Sequence, residues 1–331
     1  MKIVVPTAGY GKRLRPHTWS KPKPLIQVAG NTVLGHVLDM FEQLPKIDEV
    51  IFIVGYLGDQ IEEYVKDAYP HLNARYVEQK ELIGQSHAIW LARDGLSGPM
   101  LMAFVDTLIE ADLTNLSAGG AEAVGWVKEV PDPRRFGVAE VDVDGWVKRL
   151  VEKPEDISNN LAVVGFYYFQ EADDLITAIE EQMERGEQLK GEYFLADAIN
   201  IMLDNGLRMR VRTVDVWNDC GKFDAVLETN RYLLDHGKDN SEEAAGLKGV
   251  TLKPPVYVDP SAVVRDSEIG PYASIGPGCR IEGSVIQDSI IDSDTVITDT
   301  KLSTSLVGRE VHISGYQGSL NIGDTSEVRT S

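Results

Sequence analysis

From residue 257 onward the chain places an apolar residue at about every sixth position: Tyr257, Val263, Ile269, Ile275 and Ile281, with Gly270 and Gly276 directly after two of them. Ile286, Ile291, Val296, Leu302, Val307 and Ile313 continue the series at intervals of five or six. That period fits neither an amphipathic helix nor a strand with one wet face, whose repeats are 3.6 and 2 residues. It fits a chain wound into parallel coils, in which each short strand turns one apolar side chain inward and stacks on the coil before it. The expectation is a left-handed parallel β-helix of about four coils over residues 254–323, followed by a tail at 324–331. A small antiparallel sandwich has no need of such a period.

The preceding residues follow a different grammar. Short apolar runs such as Ile3–Val5, 50–54 and 100–105 alternate with stretches of helical period, including Val33, Leu34, Val37, Leu38, Phe41 and Leu44. This alternation predicts a layered, Rossmann-like α/β domain over residues 1–236 with a mixed, largely parallel sheet, whose ligands gather at the carboxyl ends of the strands. From Val124 the pattern turns to strands joined by polar turns. Val138 to Val151 reads as a hairpin about Asp144-Gly145, part of an antiparallel insertion suited to a second substrate. Residues 237–253 are polar and contain glycine, and read as a linker.

With 331 residues and a formal charge of −20, the chain has room for two domains and lacks the positive surface that nucleic acid or an anionic membrane rewards. Its two cysteines, Cys220 and Cys279, form no metal-type spacing. They read as reduced thiols, and with no long apolar run or signal-type leader the expected location is the cytoplasm.

Against that acidic background, Lys12, Arg13, Arg15, Lys21 and Lys23 bring five cations into twelve positions with no acidic residue among them. They follow Gly9 and Gly11, whose missing Cβ atoms let a turning backbone bring its N–H groups close to an anion. The stretch reads as a cradle for a triphosphate. It is not a Walker A loop, because G-K-[ST] is absent, and it lacks the third glycine of a dinucleotide fingerprint.

The string G-x-G-x-R-L-R-P-x-T followed by K-P-K-P-L resembles the signature of the sugar-1-phosphate nucleotidylyltransferases, nearest to the glucose-1-phosphate thymidylyltransferases. The resemblance implies that the loop at Ala8, Gly9, Gly11 and Lys12, with Arg13, holds the nucleotide phosphates and that Lys23 contacts the reacting ones. Asp106 and Asp219 match the family's two metal-binding aspartates, which implies Mg²⁺. Gln79 and Gly84 match a base-reading stretch. Gly137, Glu152, Lys153 and Gly165 match sugar-phosphate positions, and Lys190 with Glu192 does so less closely. Ala8, Lys12 and Cys220 depart from the residues commonest in the family, without removing a charge that the chemistry needs. His87, beside the base-reading stretch, reads as a helix-packing residue, since an ionised phosphate needs no general base.

The reaction so implied is an in-line displacement in which a sugar-1-phosphate attacks the α-phosphorus of a nucleoside triphosphate and pyrophosphate leaves. Glucose-1-phosphate with dTTP or UTP is the expected pair, and GDP-mannose synthesis is the main rival. A regulatory homologue that only binds nucleotide, and an acyltransferase activity of the β-helix using His312, are further alternatives. The β-helix is otherwise expected to stack copies of the chain into a homo-oligomer.

Overall fold

The protein is described by a computed structural model over residues 1–246 and 249–330. Along the chain the elements are β1 (Lys2–Pro6), β2 (Gln27–Val28), β3 (Asn31–Thr32), α1 (Val33–Met40), β4 (Glu49–Val54), α2 (Gly58–Ala68), β5 (Ala74–Glu78), α3 (Gln85–Leu91), β6 (Met100–Ala103) and β7 (Thr107–Ile109). They continue with β8 (Ala123–Glu129), β9 (Gly137–Val141), β10 (Val147–Glu152), β11 (Leu161–Phe169), α4 (Ala172–Arg185), α5 (Leu195–Asp204), β12 (Met209–Thr213), β13 (Trp217–Asp219), α6 (Phe223–Leu233) and α7 (Ser241–Ala244). Short parallel strands follow to Arg329. The chain divides into two compact units, one of Met1–Gly9 with Val37–Trp217 and one of Tyr10–His36 with Asn218–Ser331. Among the described residues no helix is long and apolar enough to cross a membrane.

The first unit is built on a nine-stranded mixed sheet with the order β10-β9-β11-β6-β1-β4-β5, to which β8 adds against β11 and β12 against β8. β1 is the pivot: it pairs in parallel with β4 on one side and β6 on the other. Successive crossovers leave it in opposite directions, which makes its carboxyl end a topological switch point where ligands are expected. Ile3, Val4 and Val5 are wholly buried because both faces of this strand are covered by other layers. In α2, Ile61 and Val65 are buried while Glu62, Glu63 and Lys66 face water, the stripe expected of a helix laid on a sheet.

The hairpin about Asp144-Gly145 forms, with β9 and β10 antiparallel. It is not a separate insertion. β11 runs antiparallel to β6, β8 and β9 and so carries these strands into the main sheet. Eight of its nine residues are buried, so no alternation marks it in the sequence. The run at 100–105 stops pairing at Ala103, and Val105-Asp106 form a turn.

In the second unit the C-terminal strands wind into parallel coils of three short strands each, such as Glu268–Ile269, Ala273–Ile275 and Arg280–Glu282. Val263 pairs with Arg280, Arg280 with Val296, Val296 with His312 and His312 with Glu327, so the coils take 17, 16, 16 and 15 residues. Five stacked strands on this face make five coils where about four were expected. The core is aliphatic, with Ile269, Ile275, Ile281, Ile286, Ile291, Leu302, Val307 and Ile313 buried as the period requires. At three positions the inward residue is a neighbour of the expected one: Val258 replaces Tyr257, Val264 replaces the exposed Val263, and Ile297 replaces Val296. Adjacent apolar residues at these points leave the register open to sequence reading. Backbone N–H groups at one corner, which cannot join the strand ladder, are taken by a buried hydroxyl column: Ser267 accepts from Ser284, Ser284 from Thr300, and Thr300 from Tyr316.

The expected linker and tail are largely part of this structure. Ser241–Ala244 is helical, Thr251–Leu252 pairs with Glu268–Ile269, and Glu327–Arg329 closes the last coil. Residues 247, 248 and 331 of those segments lie outside the described residues. The phosphate-cradle segment, residues 10–36, belongs to the same unit as the coils. Asn230 on α6 ties the two: its Oδ1 accepts from the Ala29 N–H (2.9 Å) and the Ser274 hydroxyl (2.7 Å), and its Nδ2 donates to the Tyr272 carbonyl (3.2 Å). Arg231 beside it binds Asp288 with both arms of its guanidinium, at 2.5 and 2.6 Å. Asn230→Ala would orphan these buried groups and should lower stability by roughly 2–4 kcal/mol in urea unfolding; a loss under about 0.5 kcal/mol would show the tie to be dispensable.

Candidate functional site

In the first unit, β1 delivers Thr7 and Ala8 to the switch point. The Thr7 N–H and hydroxyl both bond the Ile53 carbonyl at 2.8 Å. Ala8 is buried against Gly55, where a Cβ would stand 2.8 Å from the Ala8 carbonyl oxygen. Gly55 was not singled out from the sequence, although its place directly after β4 was the available signal. Nothing lies within 4 Å of a Cβ built on Gly9, and its φ is not in the left-handed region. The turn itself therefore does not demand glycine at position 9, unlike the expectation.

The base-reading stretch is held by its own backbone. The Gln79 N–H donates to Val54 O (2.8 Å), and its buried amide Nε2 donates to the Gly84 carbonyl (3.2 Å). Gly84 has φ +121°, and a Cβ there would lie 2.3 Å from both the N and O of Tyr193. Tyr193 donates its N–H to Ile83 O (2.8 Å) and accepts from Ser86 N–H (3.1 Å), stitching the stretch to the chain just before α5. His87 stacks against Trp90 with ring centroids 6.2 Å apart, and burial lowers its pKa, consistent with packing.

The sugar-phosphate candidates collect nearby on the same unit. Gly137 and Glu152 are direct partners across the β9–β10 ladder, and a Cβ on Gly137 would stand 3.1 Å from Glu152 Oε2. The Lys153 ammonium lies 3.3 Å from the Glu152 carboxylate and 4.2 Å from the centroid of the Phe194 ring. Burial pushes the Glu152 carboxyl above its ordinary value; Lys153 opposes the shift, and the Asp197 and Glu192 charges add to it. Lys190 sits at the tip of a tight turn closed by the Leu189–Glu192 pair. Gly165 lies against Phe104. A Cβ on it would strike Phe104 at 2.4 Å, and its carbonyl accepts the Phe104 N–H (3.0 Å), which anchors the chain two residues before the half-buried Asp106. The stretch Tyr193-Phe194 therefore touches both Gly84 and Lys153, a link between the two groups that sequence reading missed.

In the second unit, Gly11 takes a left-handed conformation (φ +58°) with Thr18 and Lys23 each 3.0 Å from where its Cβ would be. The Thr18 hydroxyl donates to the Gly11 carbonyl at 2.9 Å. Lys12 and Arg13 are exposed. Arg13 lies with Asp219 about Gly221, where a Cβ would be 3.0 Å from the guanidinium and 2.6 Å from Asp219 Oδ1. That Oδ1 accepts the Gly221 N–H at 2.6 Å. Gly221 is a second glycine that the sequence did not flag; only its place beside Asp219 hinted at it. Arg15 lies 5.9 Å from the Trp19 ring. Lys21 departs from the expected row of unopposed cations: it is buried and ion-paired with Asp292, 271 residues away. No group of three or more His, Cys, Asp or Glu able to hold a metal occurs among the described residues.

The chain belongs to the nucleotidyl transferase family, whose model matches residues 2–236. It is 30% identical over 359 residues to the glucose-1-phosphate thymidylyltransferase of Streptomyces antibioticus, covering 99% of each chain. It is 33% identical over 265 residues to the bifunctional protein GlmU of Methanocaldococcus jannaschii, covering 80% of this chain and 61% of that protein. The low-salt glycan biosynthesis nucleotidyltransferase Agl11 of Haloferax volcanii is 30% identical over 95% of this chain and 94% of its own. Among solved structures, a UDP-glucose pyrophosphorylase complexed with UDP-glucose aligns with a TM-score of 0.62 over 71% of this chain and 98% of that one, at 21% identity. That last likeness is one of fold.

Two contrasts test the site. Gly84→Ala should cost at least ~2 kcal/mol in chemical unfolding because of its φ and the Tyr193 backbone, whereas Gly9→Ala should stay within about 0.5 kcal/mol of wild type. Equal losses would contradict the geometry. Glu152, with its raised pKa, is charged at a cost when the pH lies above its folded value, and that cost disappears as pH falls below the ordinary glutamate range. Glu152→Gln should therefore raise the melting temperature at pH 8 and have little effect at pH 4; the reverse order would refute the burial argument.

Proposed function

We propose that this chain joins a nucleoside triphosphate to a sugar-1-phosphate, releasing pyrophosphate, with glucose-1-phosphate and dTTP or UTP as substrates. The observation that supports the reading is the contact of Tyr193-Phe194 with both Gly84, from the base-reading candidates, and Lys153, from the sugar-phosphate candidates. The alignment over 99% of both chains with a glucose-1-phosphate thymidylyltransferase supports the choice of sugar and base.

A sugar-1-phosphate oxygen attacks the α-phosphorus as the bond to the β-phosphate oxygen breaks. The displacement asks chiefly for positioning and for positive charge where negative charge gathers. Gln79 has one amide hydrogen committed to Gly84, so its Oε1 serves as acceptor for a pyrimidine imide N–H. Lys153 pairs with the sugar phosphate, and Glu152 accepts from sugar hydroxyls. Arg13 and Lys23, with the N–H groups of Ala8, Gly9, Gly11 and Lys12, hold the triphosphate and stabilise the departing pyrophosphate. Lys190, on its turn, extends the sugar side. No side chain needs to remove a proton from an already ionised phosphate.

Asp106 and Asp219 are the residues that would hold Mg²⁺. Carboxylate oxygens suit a hard cation such as Mg²⁺, which keeps waters and phosphate oxygens in its shell. When bound, the ion would neutralise charge building on the phosphates.

The deciding experiment is pyrophosphate release from a panel of dTTP, UTP, GTP and ATP against glucose-, mannose- and N-acetylglucosamine-1-phosphate with Mg²⁺. Release should be fastest with dTTP or UTP and glucose-1-phosphate; a GTP and mannose-1-phosphate optimum would replace the substrate assignment, and no release with any pair would defeat the enzymatic one. Asp219→Asn should keep its melting temperature and lose at least ~100-fold in turnover. Near-wild-type turnover would remove Asp219 from the metal site.

A further inference from the structure

Lys21 stands among the cations of the phosphate cradle, yet its side chain is only 8% exposed and its ammonium is paired with Asp292, itself 10% exposed. A lysine so placed is not available to a phosphate. Asp292 is fixed in turn: its Oδ1 accepts the Ser293 N–H (2.7 Å), its own N–H donates to Val307 O (2.9 Å), and its carbonyl accepts from the Cys279 thiol (3.0 Å). Two more side chains of the same segment reach the coils. His17 Nε2 is 2.7 Å from Asn321 Oδ1, and the Ser20 hydroxyl donates to Asp324 Oδ2 at 2.9 Å. Asp324 is held by Arg309, whose Nε is 2.9 Å away. Pro16 packs on Gly323, where a Cβ would stand 3.1 Å from its ring.

We propose that the C-terminal coils position the phosphate cradle, with Asp292, Asn321 and Asp324 as positioning residues for the nucleotide. The connection to the cradle is short. Thr18, inside the docked segment, donates to the Gly11 carbonyl and crowds the Gly11 Cα together with Lys23. Fixing residues 16–21 on the coils therefore fixes the left-handed turn at Gly11 and the start of the Lys23 side chain. The inference rests on the assignment of that loop to the triphosphate. It changes the meaning of the coils: they act on the first substrate of the reaction through a polar seam, without touching it.

The test uses the full chain. Asp292→Asn should raise the KM for the nucleoside triphosphate about ten-fold or more, since small misplacements of a positioning loop are costly, while the KM for the sugar-1-phosphate stays within two-fold. Hydrogen exchange of residues 11–23, measured without substrate, should rise together with that KM. Asp292→Glu should recover most of the affinity, which a general loss of stability would not allow. If Asp292→Asn does not fold, the paired Ser20→Ala and Asn321→Ala changes remove two hydrogen bonds without stranding a charge and should give the same selective KM rise. Unchanged exchange and unchanged nucleotide KM would overturn the proposal, as would equal rises in both KM values. Absence of pyrophosphate release from wild type would instead defeat the functional assignment, and the exchange measurement would still decide whether the coils order the loop.

Discussion

Taking a lysine ammonium out of water costs several kcal/mol unless a carboxylate and further hydrogen bonds replace its hydration. Lys21 has its carboxylate in Asp292, across 271 residues of chain, and Asp292 is in turn held by the Ser293 N–H. Neither could be buried alone, so the position of the cradle segment and the winding of the coils are mutually conditional. Asn230 repeats the logic with an uncharged amide, satisfying one group of the segment and two of the coils at once. The second unit is thereby a single body made of pieces from both ends of the sequence.

The first unit solves a different problem, bringing side chains from distant strands to one edge. Its means are backbone contacts that leave no room for a Cβ: Gly84 against Tyr193, Gly55 against Ala8 and Gly165 against Phe104. Such contacts hold loops through the backbone itself. Glu152 is the costly exception. A half-compensated, largely buried carboxylate lowers stability, and Lys153 offsets only part of that cost.

Much of this was legible in the chain because it is local. A period of six survives in any register, and the signature from Gly9 to Lys23 is contiguous. The coil register failed where two apolar residues adjoin, at Tyr257-Val258, Val263-Val264 and Val296-Ile297. β11 was hidden because burial on both faces erases alternation. The partner of Lys21 was invisible for a simpler reason: nothing near Asp292 in sequence marks it as different from the many other acidic residues of so acidic a chain. The boundary expected at 236 follows the order of the chain, whereas the compact units follow who packs on whom, and α6 packs with the coils.

The polar seam also makes the coil stack a ruler. Lys21 takes its partner from the third coil, while His17 and Ser20 take theirs from the fifth. Neighbouring coils are about 4.8 Å apart, so the seam spans about 10 Å. A coil inserted or deleted between Asp292 and Asn321 would allow the strands on either side to pair anew and still move one anchor a full strand spacing from its partner. Coils added beyond Arg329 would disturb none of them. Length variation in proteins built this way should thus be resisted across the seam.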